Sequence, residues 1–200
     1  TKLKITQSLV EKTLGMTDLP LLSEPNLQQQ LVEIGYQGKK LEELESLSTA
    51  EKANMLFIVQ DPYTSYYDAK VVRDFVALTQ KLGFDPIILP FKPNGKAMHI
   101  KGFLTRFSKT AKTQAEFLNR VAKLNVPLVG VDPAIVLSYR DEYKEALGDS
   151  RGDFHVLTAH EWLTNQLESK ALQSAVKNIA KSDRTFEWHL FPHCTESTFM

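Results

Sequence analysis

Residues 55–62, Met-Leu-Phe-Ile-Val-Gln-Asp-Pro, join a short apolar run to an Asp-Pro pair. The same arrangement returns at residues 126–133, Val-Pro-Leu-Val-Gly-Val-Asp-Pro, and each pair opens an amphipathic segment. Between them, the apolar run Ile87-Ile88-Leu89 leads into a third loop, residues 91–96, Phe-Lys-Pro-Asn-Gly-Lys. Short apolar runs bounded by turn residues are typical of buried strands. Three loops that follow three parallel strands should lie at one edge of the sheet, where open α/β folds bind ligands.

The alternation of apolar runs and amphipathic segments from residue 54 onward predicts an α/β fold. We expect a mostly parallel sheet of about four or five strands, with helices on both faces and a helical lead-in before it. The further strands are predicted at residues 86–89, 126–131, 154–157 and 186–191, and the helices at 68–82, 99–124, 133–147 and 158–167. Gly83 and Gly148 are well placed to end two of these helices.

The chain divides by composition into three parts. Residues 1–50 form a helical lead-in, packed on the domain or serving as a linker from an upstream domain, with a helix start at residues 23–25 and a capping box at residues 48–51. Residues 51–185 form the α/β unit, and residues 186–200 begin a further one. A final strand with no helix after it leads us to expect a chain cut from a longer protein.

Composition excludes several classes of protein. Lysine plus arginine and aspartate plus glutamate both number 24, so no excess positive charge favours nucleic acid. The apolar runs are far too short for a membrane span. One cysteine, Cys194, fits a reducing compartment such as the cytoplasm and leaves no internal disulfide. None of the predicted strands is followed by a glycine-rich, phosphate-binding loop, which argues against a dinucleotide site.

The two Asp-Pro pairs have a structural and a functional interpretation. Aspartate at an N-cap followed by proline at the first helical position is a common helix start, and we favour it for Asp132. Asp61 is separated from the predicted helix by residues 63–67, so an Asx-type turn is the default there. The alternative for Asp132 is a ligand-binding or acid–base role, and the alternative for the Asp61 loop is that residues 63–67 line a cleft.

The other candidates carry weaker signals. Residues 93–96 have the composition of a turn that also brings Lys96 near the predicted edge, with His99 three residues further on. Ser138 lies within a helix and not on a nucleophile elbow. His155, His160 and His189 are expected to be surface or hydrogen-bonded core histidines. Cys194 follows a predicted strand, and from the chain alone a free thiol is favoured over a metal ligand.

Four segments together resemble a known family: residues 59–68, 89–103, 129–143 and 193–196. They are similar to the C-terminal part of large bacterial oxidases of the D-lactate and D-2-hydroxyglutarate dehydrogenase type, from about residue 18 to residue 200. Such enzymes combine an FAD domain, which oxidises the D-2-hydroxy acid, with a ferredoxin-like domain that carries 4Fe-4S clusters. A cysteine-rich tandem repeat related to heterodisulfide reductases follows these domains.

The resemblance implies that residues 51–185 are a first cysteine-rich repeat whose cysteines are lost. Its cluster-ligand positions, written Cys, Cys-Cys-Gly and Cys-x-x-Cys, fall at Asp61, at Pro93-Asn94-Gly95, and at Asp132 and Ile135, so only the glycine survives. Clusters are held by thiolates, which these residues do not replace. Cys194 would be the first cluster ligand of a second repeat that begins at residue 186.

We therefore expect a non-catalytic segment of an oxidoreductase that needs FAD and iron–sulfur clusters. Its partners would be the flavin and ferredoxin-like domains of the same chain, with a respiratory electron acceptor for the enzyme as a whole. The enzyme would lie in the cytoplasm or at the inner face of the membrane. The rival hypothesis is a self-contained module in which five side chains converge on a small anion or acceptor: Asp61, Asn94, Lys96, His99 and Asp132. A hydrolase or transferase acting through Asp132 and His99 is weaker, because no nucleophile accompanies them.

Overall fold

The computed structural model describes residues 20–167, 169, 172–174 and 177 of the 200-residue chain. Four strands lie within these residues: β1 (Met55–Val59), β2 (Asp85–Ile88), β3 (Leu128–Gly130) and β4 (Val156–Thr158). The helices in the described ranges are α1 (Leu27–Glu33), α2 (Leu41–Glu45), α3 (Thr49–Lys52), α4 (Pro62–Tyr66), α5 (Ala69–Lys81), α6 (Lys96–Ile100), α7 (Leu104–Ala122), α8 (Pro133–Arg140), α9 (Glu142–Leu147) and α10 (Ala159–Gln166). A turn of 3-10 helix, Gly148–Arg151, follows α9.

The four strands form one parallel sheet in the order β2-β1-β3-β4. Strand β1 is central: Phe57 pairs with Ile87 on one side and with Leu128 on the other. Parallel strands need crossover connections, and helices supply each of them here. The predicted α/β fold with a mostly parallel sheet is confirmed. The predicted strand at residues 186–191 lies outside the described residues.

Helices cover both faces of the sheet. Along β1, Met55, Phe57 and Val59 pack into a core with α7, α8 and α9, whereas Leu56 and Ile58 pack into a second core with α1, α5 and α10. Successive side chains of a strand point to opposite faces, so a strand buried on both sides must be apolar throughout. This explains the unbroken run at residues 55–59, all of which are buried.

The described part of the lead-in packs on the domain. Leu31 of α1 joins the core on one face of the sheet, and Leu44 of α2 joins the core on the other face. The capping box predicted at residues 48–51 is confirmed, because Ser48 Oγ accepts from the Glu51 amide and the Glu51 carboxylate accepts from the Ser48 amide. The predicted helix start at residues 23–25 is wrong by a few residues, since Asn26 caps α1.

Two predicted long helices are each interrupted. The region predicted at residues 99–124 is divided into α6 and α7, because Gly102 has φ +77°, a left-handed conformation that ends a helix. The region predicted at residues 133–147 is divided at Asp141, which ends α8 and begins α9. In both places the apolar spacing continues across the break, so periodicity alone does not reveal it. Among the helices of the described residues, none is long and apolar enough to cross a membrane.

Candidate functional site

The three predicted loops lie at the carboxyl edge of the sheet, as the sequence indicated. From β1 the chain crosses to β2 on one side of it, and from β2 it crosses back to β3 on the other side. The carboxyl ends of β1 and β3 therefore flank the topological switch point, where doubly wound folds place their ligand sites. Asp61 follows β1 at this point, and Asp132 follows β3.

Asp132 caps α8, which confirms the structural interpretation of this residue. Its Oδ1 accepts hydrogen bonds from the backbone amides of Ala134 at 2.8 Å and Ile135 at 3.3 Å. Pro133 occupies the first helical position, where a missing amide hydrogen costs nothing. The carboxylate thus satisfies two amides that the first turn of the helix leaves without partners.

Asp61 is also a helix cap. Residues 63–67 separate it from α5 as predicted, but most of them belong to a short helix, so the Asx-type turn expected there is wrong. Pro62–Tyr66 form α4 immediately after it. One carboxylate oxygen of Asp61 accepts from the Thr64 amide at 2.9 Å, and the other accepts from the Thr64 hydroxyl. Burial raises the pKa of Asp61, and the nearby charge of Asp132 raises it further, against the opposing effect of the Thr64 hydrogen bonds.

Asn94 lies buried in the loop after β2, with 4% of its surface exposed. Its Oδ1 accepts from the Lys96 amide at 3.0 Å, which is the turn that the sequence predicted. Its backbone carbonyl accepts from the Tyr143 hydroxyl at 2.7 Å, so α9 holds this loop in place. Gly95 has φ +80° and packs so closely on Phe107 that a Cβ would lie 2.9 Å from that ring. Glycine at this position of the loop therefore has a structural reason.

Lys96 and His99 approach a residue that sequence reasoning missed, Glu142. Lys96 Nζ forms an ion pair with Glu142 Oε1, and His99 Nδ1 lies 4.0 Å from the same oxygen. Burial alone would raise the pKa of Glu142, but the hydrogen bond and charge of Lys96 outweigh it and hold that pKa below its ordinary value. The lysine that the anion-binding hypothesis needs is thus already neutralised.

Tyr139 lies beneath the edge and is fully buried. Its hydroxyl accepts from Gln114 Nε2 at 3.4 Å. Burial raises the pKa of Tyr139, and the negative charges of Asp61 and Asp132 raise it as well. Tyr139 therefore stays protonated at neutral pH and does not serve as a base. The charge of Asp132 also acts directly on Asp61, so the two carboxylates lie near one another.

The remaining candidates add no chemistry to the edge. Ser138 is buried within α8, whereas His155 and His160 are exposed. Within the ranges the structure describes, three or more His, Cys, Asp or Glu side chains nowhere group as a metal site would require. Cys194 and His189 lie outside those ranges. In this arrangement both carboxylates fix helix starts, and within the described part of the chain no cluster of metal-binding side chains accompanies them.

Comparison with known proteins gives one consistent result. The chain is 82% identical over all 200 residues to a D-2-hydroxyglutarate dehydrogenase of Haemophilus influenzae. It is 57% identical over 194 residues to the enzyme of that name from Escherichia coli, and 34% identical over 194 residues to that from Pseudomonas putida. The chain spans about a fifth of the length of these curated relatives (20%, 18% and 18%). No family model matches the chain, and no solved structure matches it.

These matches confirm the resemblance to dehydrogenases of D-2-hydroxy acids that four loop segments predicted. The same residues, Asp61, Asn94 and Asp132, that carried the resemblance occupy the carboxyl edge. Sequence reasoning gave no sign that Tyr143 bonds to the Asn94 carbonyl or that Glu142 pairs with Lys96. The helical spacing of Tyr139 and Tyr143 was visible, but it indicated only a buried face.

Proposed function

We propose that this chain is a structural segment of a bacterial D-2-hydroxyglutarate dehydrogenase and does not itself catalyse the oxidation. The observation that carries the proposal is the 82% identity over all 200 residues to the Haemophilus influenzae protein of that name. Since the chain spans about a fifth of that relative, we place the oxidation of the hydroxy acid in the remainder of a longer polypeptide.

The geometry of the carboxyl edge supports a non-catalytic role. Both oxygens of Asp61 are occupied by Thr64, and Asp132 Oδ1 binds two backbone amides. A general base must lie within reach of the proton that it abstracts, whereas these hydrogen bonds direct the two carboxylates to the starts of α4 and α8. Lys96, which could bind a substrate carboxylate, is paired with Glu142. These contacts favour a helix-capping function for the edge over acid–base chemistry.

The edge does not fit an iron–sulfur cluster, which supports the hypothesis of a cysteine-rich repeat that has lost its ligands. Iron–sulfur clusters are held by cysteine thiolates. The side chains of Pro93 and Ile135 offer no donor atom, and the carboxylates of Asp61 and Asp132 are engaged by their own helices. We therefore assign no step of the reaction to a cluster at this edge. Cys194 remains the proposed first ligand of a following repeat.

FAD and 4Fe-4S clusters would be bound by other domains of the polypeptide. FAD supplies the acceptor for hydride from the hydroxy acid, and clusters carry single electrons onward to a respiratory acceptor. We place the enzyme in the cytoplasm or peripherally at the inner face of the membrane. The role of this chain would then be to pack against the flavin and ferredoxin-like domains.

An exposed apolar segment at the carboxyl edge supports that packing role. Ile100, Phe103 and Leu104 are 72%, 52% and 59% exposed, at the junction of α6 and α7. Because α7 runs back to the start of β3, its first residues lie at the carboxyl edge of the sheet. Contiguous exposed apolar side chains are typical of surfaces that another domain covers. We call residues 100–104 the junction segment.

The packing role is tested by limited proteolysis and thermal unfolding of the whole polypeptide that carries this chain. Phe103→Ser with Leu104→Ser should speed cleavage between domains and lower the melting temperature of the whole polypeptide. The 200-residue chain alone should melt as before, since these side chains are exposed there. Val32→Ser is the matched control, because Val32 is 65% exposed on α1 and away from the junction segment. Equal losses in the isolated chain, or none in the whole polypeptide, would refute the role.

The activity is tested on the same whole polypeptide. With an artificial dye as electron acceptor, it should oxidise D-2-hydroxyglutarate and leave the L enantiomer unchanged, whereas the 200-residue chain should reduce no dye. Turnover by the 200-residue chain alone would contradict the non-catalytic assignment. A whole polypeptide that oxidises neither enantiomer, with its cofactors bound, would contradict the assignment of the activity.

A further inference from the structure

A groove with no charged lining residue lies beside the carboxyl ends of β1 and β2. Its volume is about 640 Å³, within the size range of small-molecule sites. One wall is α1, represented by Leu27 and Leu31, and the other includes Tyr66 of α4 and residues 88–90 after β2. None of the lining residues that the structure describes is Asp, Glu, Lys, Arg or His, in a chain where 24% of residues are charged.

The groove contains a hydroxyl group with a proton to donate. Tyr36 Oη accepts a hydrogen bond from the Ile88 amide at 3.0 Å. This bond uses a lone pair and leaves the O–H, which contacts no acceptor in the described part of the chain. Burial raises the pKa of Tyr36, so its hydroxyl keeps that proton at neutral pH.

A side-chain amide supplies a second donor from the end of β1. Gln60 Nε2 donates to the Leu89 carbonyl at 2.8 Å, and Gln60 Oε1 accepts from Ser65 Oγ at 2.9 Å. These two bonds fix the orientation of the amide and leave its second N–H for another acceptor. The groove is thus lined by oriented donors and carries no compensating charge.

An aromatic ring forms part of the wall next to these donors. Tyr66 is partly exposed and is held edge-on against Phe91, with ring centroids 5.1 Å apart. A ring fixed in this way offers a flat apolar surface for stacking. A ligand that fits the groove should therefore have a flat apolar body and an oxygen that accepts hydrogen bonds.

We propose that this groove binds a neutral, flat ligand that bears a carbonyl oxygen, placed against Tyr66 and bound by the Tyr36 hydroxyl and the Gln60 amide. A charged ligand is disfavoured, because desolvating its charge would find no opposite charge in the groove. The dianion D-2-hydroxyglutarate is disfavoured for the same reason. Neither Asp61 nor Asp132 lines the groove. The proposed binding therefore does not depend on whether the polypeptide oxidises a hydroxy acid.

Two bicyclic probes of one shape test the proposal, coumarin and coumarin-3-carboxylate. Dissociation constants are measured by equilibrium dialysis on the whole polypeptide and, in parallel, on the 200-residue chain. Coumarin should bind, and coumarin-3-carboxylate should bind more weakly by a factor of at least about ten. Absence of coumarin binding up to its solubility limit, or equal binding of the two probes, would overturn the proposal.

Variants locate the binding in the groove. Tyr36→Phe keeps the ring and removes the hydroxyl, so it should weaken coumarin binding about two- to tenfold. Tyr63→Phe is the matched control, because Tyr63 is an exposed tyrosine of α4 that does not line the groove. Gln28→Lys adds a cation to the groove at an exposed position and should reverse the preference in favour of coumarin-3-carboxylate. Folded variants that leave both dissociation constants unchanged would place the probe elsewhere and refute the site.

Discussion

Replacing Asp132 with alanine or asparagine distinguishes a capping carboxylate from a chemically active one. Asp132→Ala removes the oxygen that accepts from the Ala134 and Ile135 amides at 2.8 and 3.3 Å. Loss of an N-cap side chain costs about 1 kcal/mol. For a chain of this size that cost lowers the melting temperature by about 2–4 °C. Asparagine caps helices about as well as aspartate, so Asp132→Asn should leave the melting temperature nearly unchanged.

The assay is thermal unfolding of the three proteins side by side, followed by circular dichroism and repeated in urea. In urea, the midpoint should fall for the alanine variant without a change in the slope of the transition, since the same surface is exposed on unfolding. If Asp132→Asn destabilises the chain as much as Asp132→Ala, the negative charge itself is required. The hydrogen-bonding explanation of this cap would then be wrong, and an interaction of the charge with the helix dipole or with a bound cation would have to replace it.

Three further substitutions test the packing and the electrostatics. Gly130→Ala puts a Cβ 2.4 Å from Val136 Cγ2 and should cost about 1–3 kcal/mol in urea unfolding, with partial rescue by Val136→Ala. Tyr143→Phe removes the 2.7 Å bond to the Asn94 carbonyl and should cost about 1 kcal/mol, whereas no measurable cost would argue against this anchor. The hydrogen bond from Arg140 lowers the pKa of Glu161 from 4.5 to about 2, so the stability that the pair contributes is present above pH 4.5 and is lost as pH falls toward 2. Glu161→Gln should flatten that part of the stability–pH curve, and an unchanged curve would refute the pairing.

The elements that the sequence predicted correctly are those whose signals are local. Asp132-Pro133 starts a helix, Gly83 with φ +85° ends one, and Ser48 with Glu51 forms a capping box. Each depends on residues within four positions of one another, so a single chain is enough to detect it. The apolar run at residues 55–59 indicates a strand buried on both faces for the same reason.

The features that sequence reasoning missed depend on distant partners or on glycine conformation. Glycine at position 102 is compatible with several backbone conformations, and only the fold shows that it breaks a helix. The pairing of Lys96 with Glu142 joins residues 46 positions apart, and the bond of Tyr36 to Ile88 spans 52. Neither pair has a sequence signature. The groove depends on the contact between Tyr36 and Ile88, so the sequence of residues 1–50 does not reveal the groove.

The central claim is that the carboxyl edge supports the fold and performs no catalysis. The most direct measurement is dye-linked turnover of D-2-hydroxyglutarate by the whole polypeptide with Asp61→Asn and Asp132→Asn together. Both substitutions retain a side chain that can cap a helix and remove the charge that acid–base chemistry would use. We expect an unchanged kcat and KM in a folded protein. A fall in kcat of about a hundredfold or more, with stability intact, would show that these carboxylates take part in the reaction.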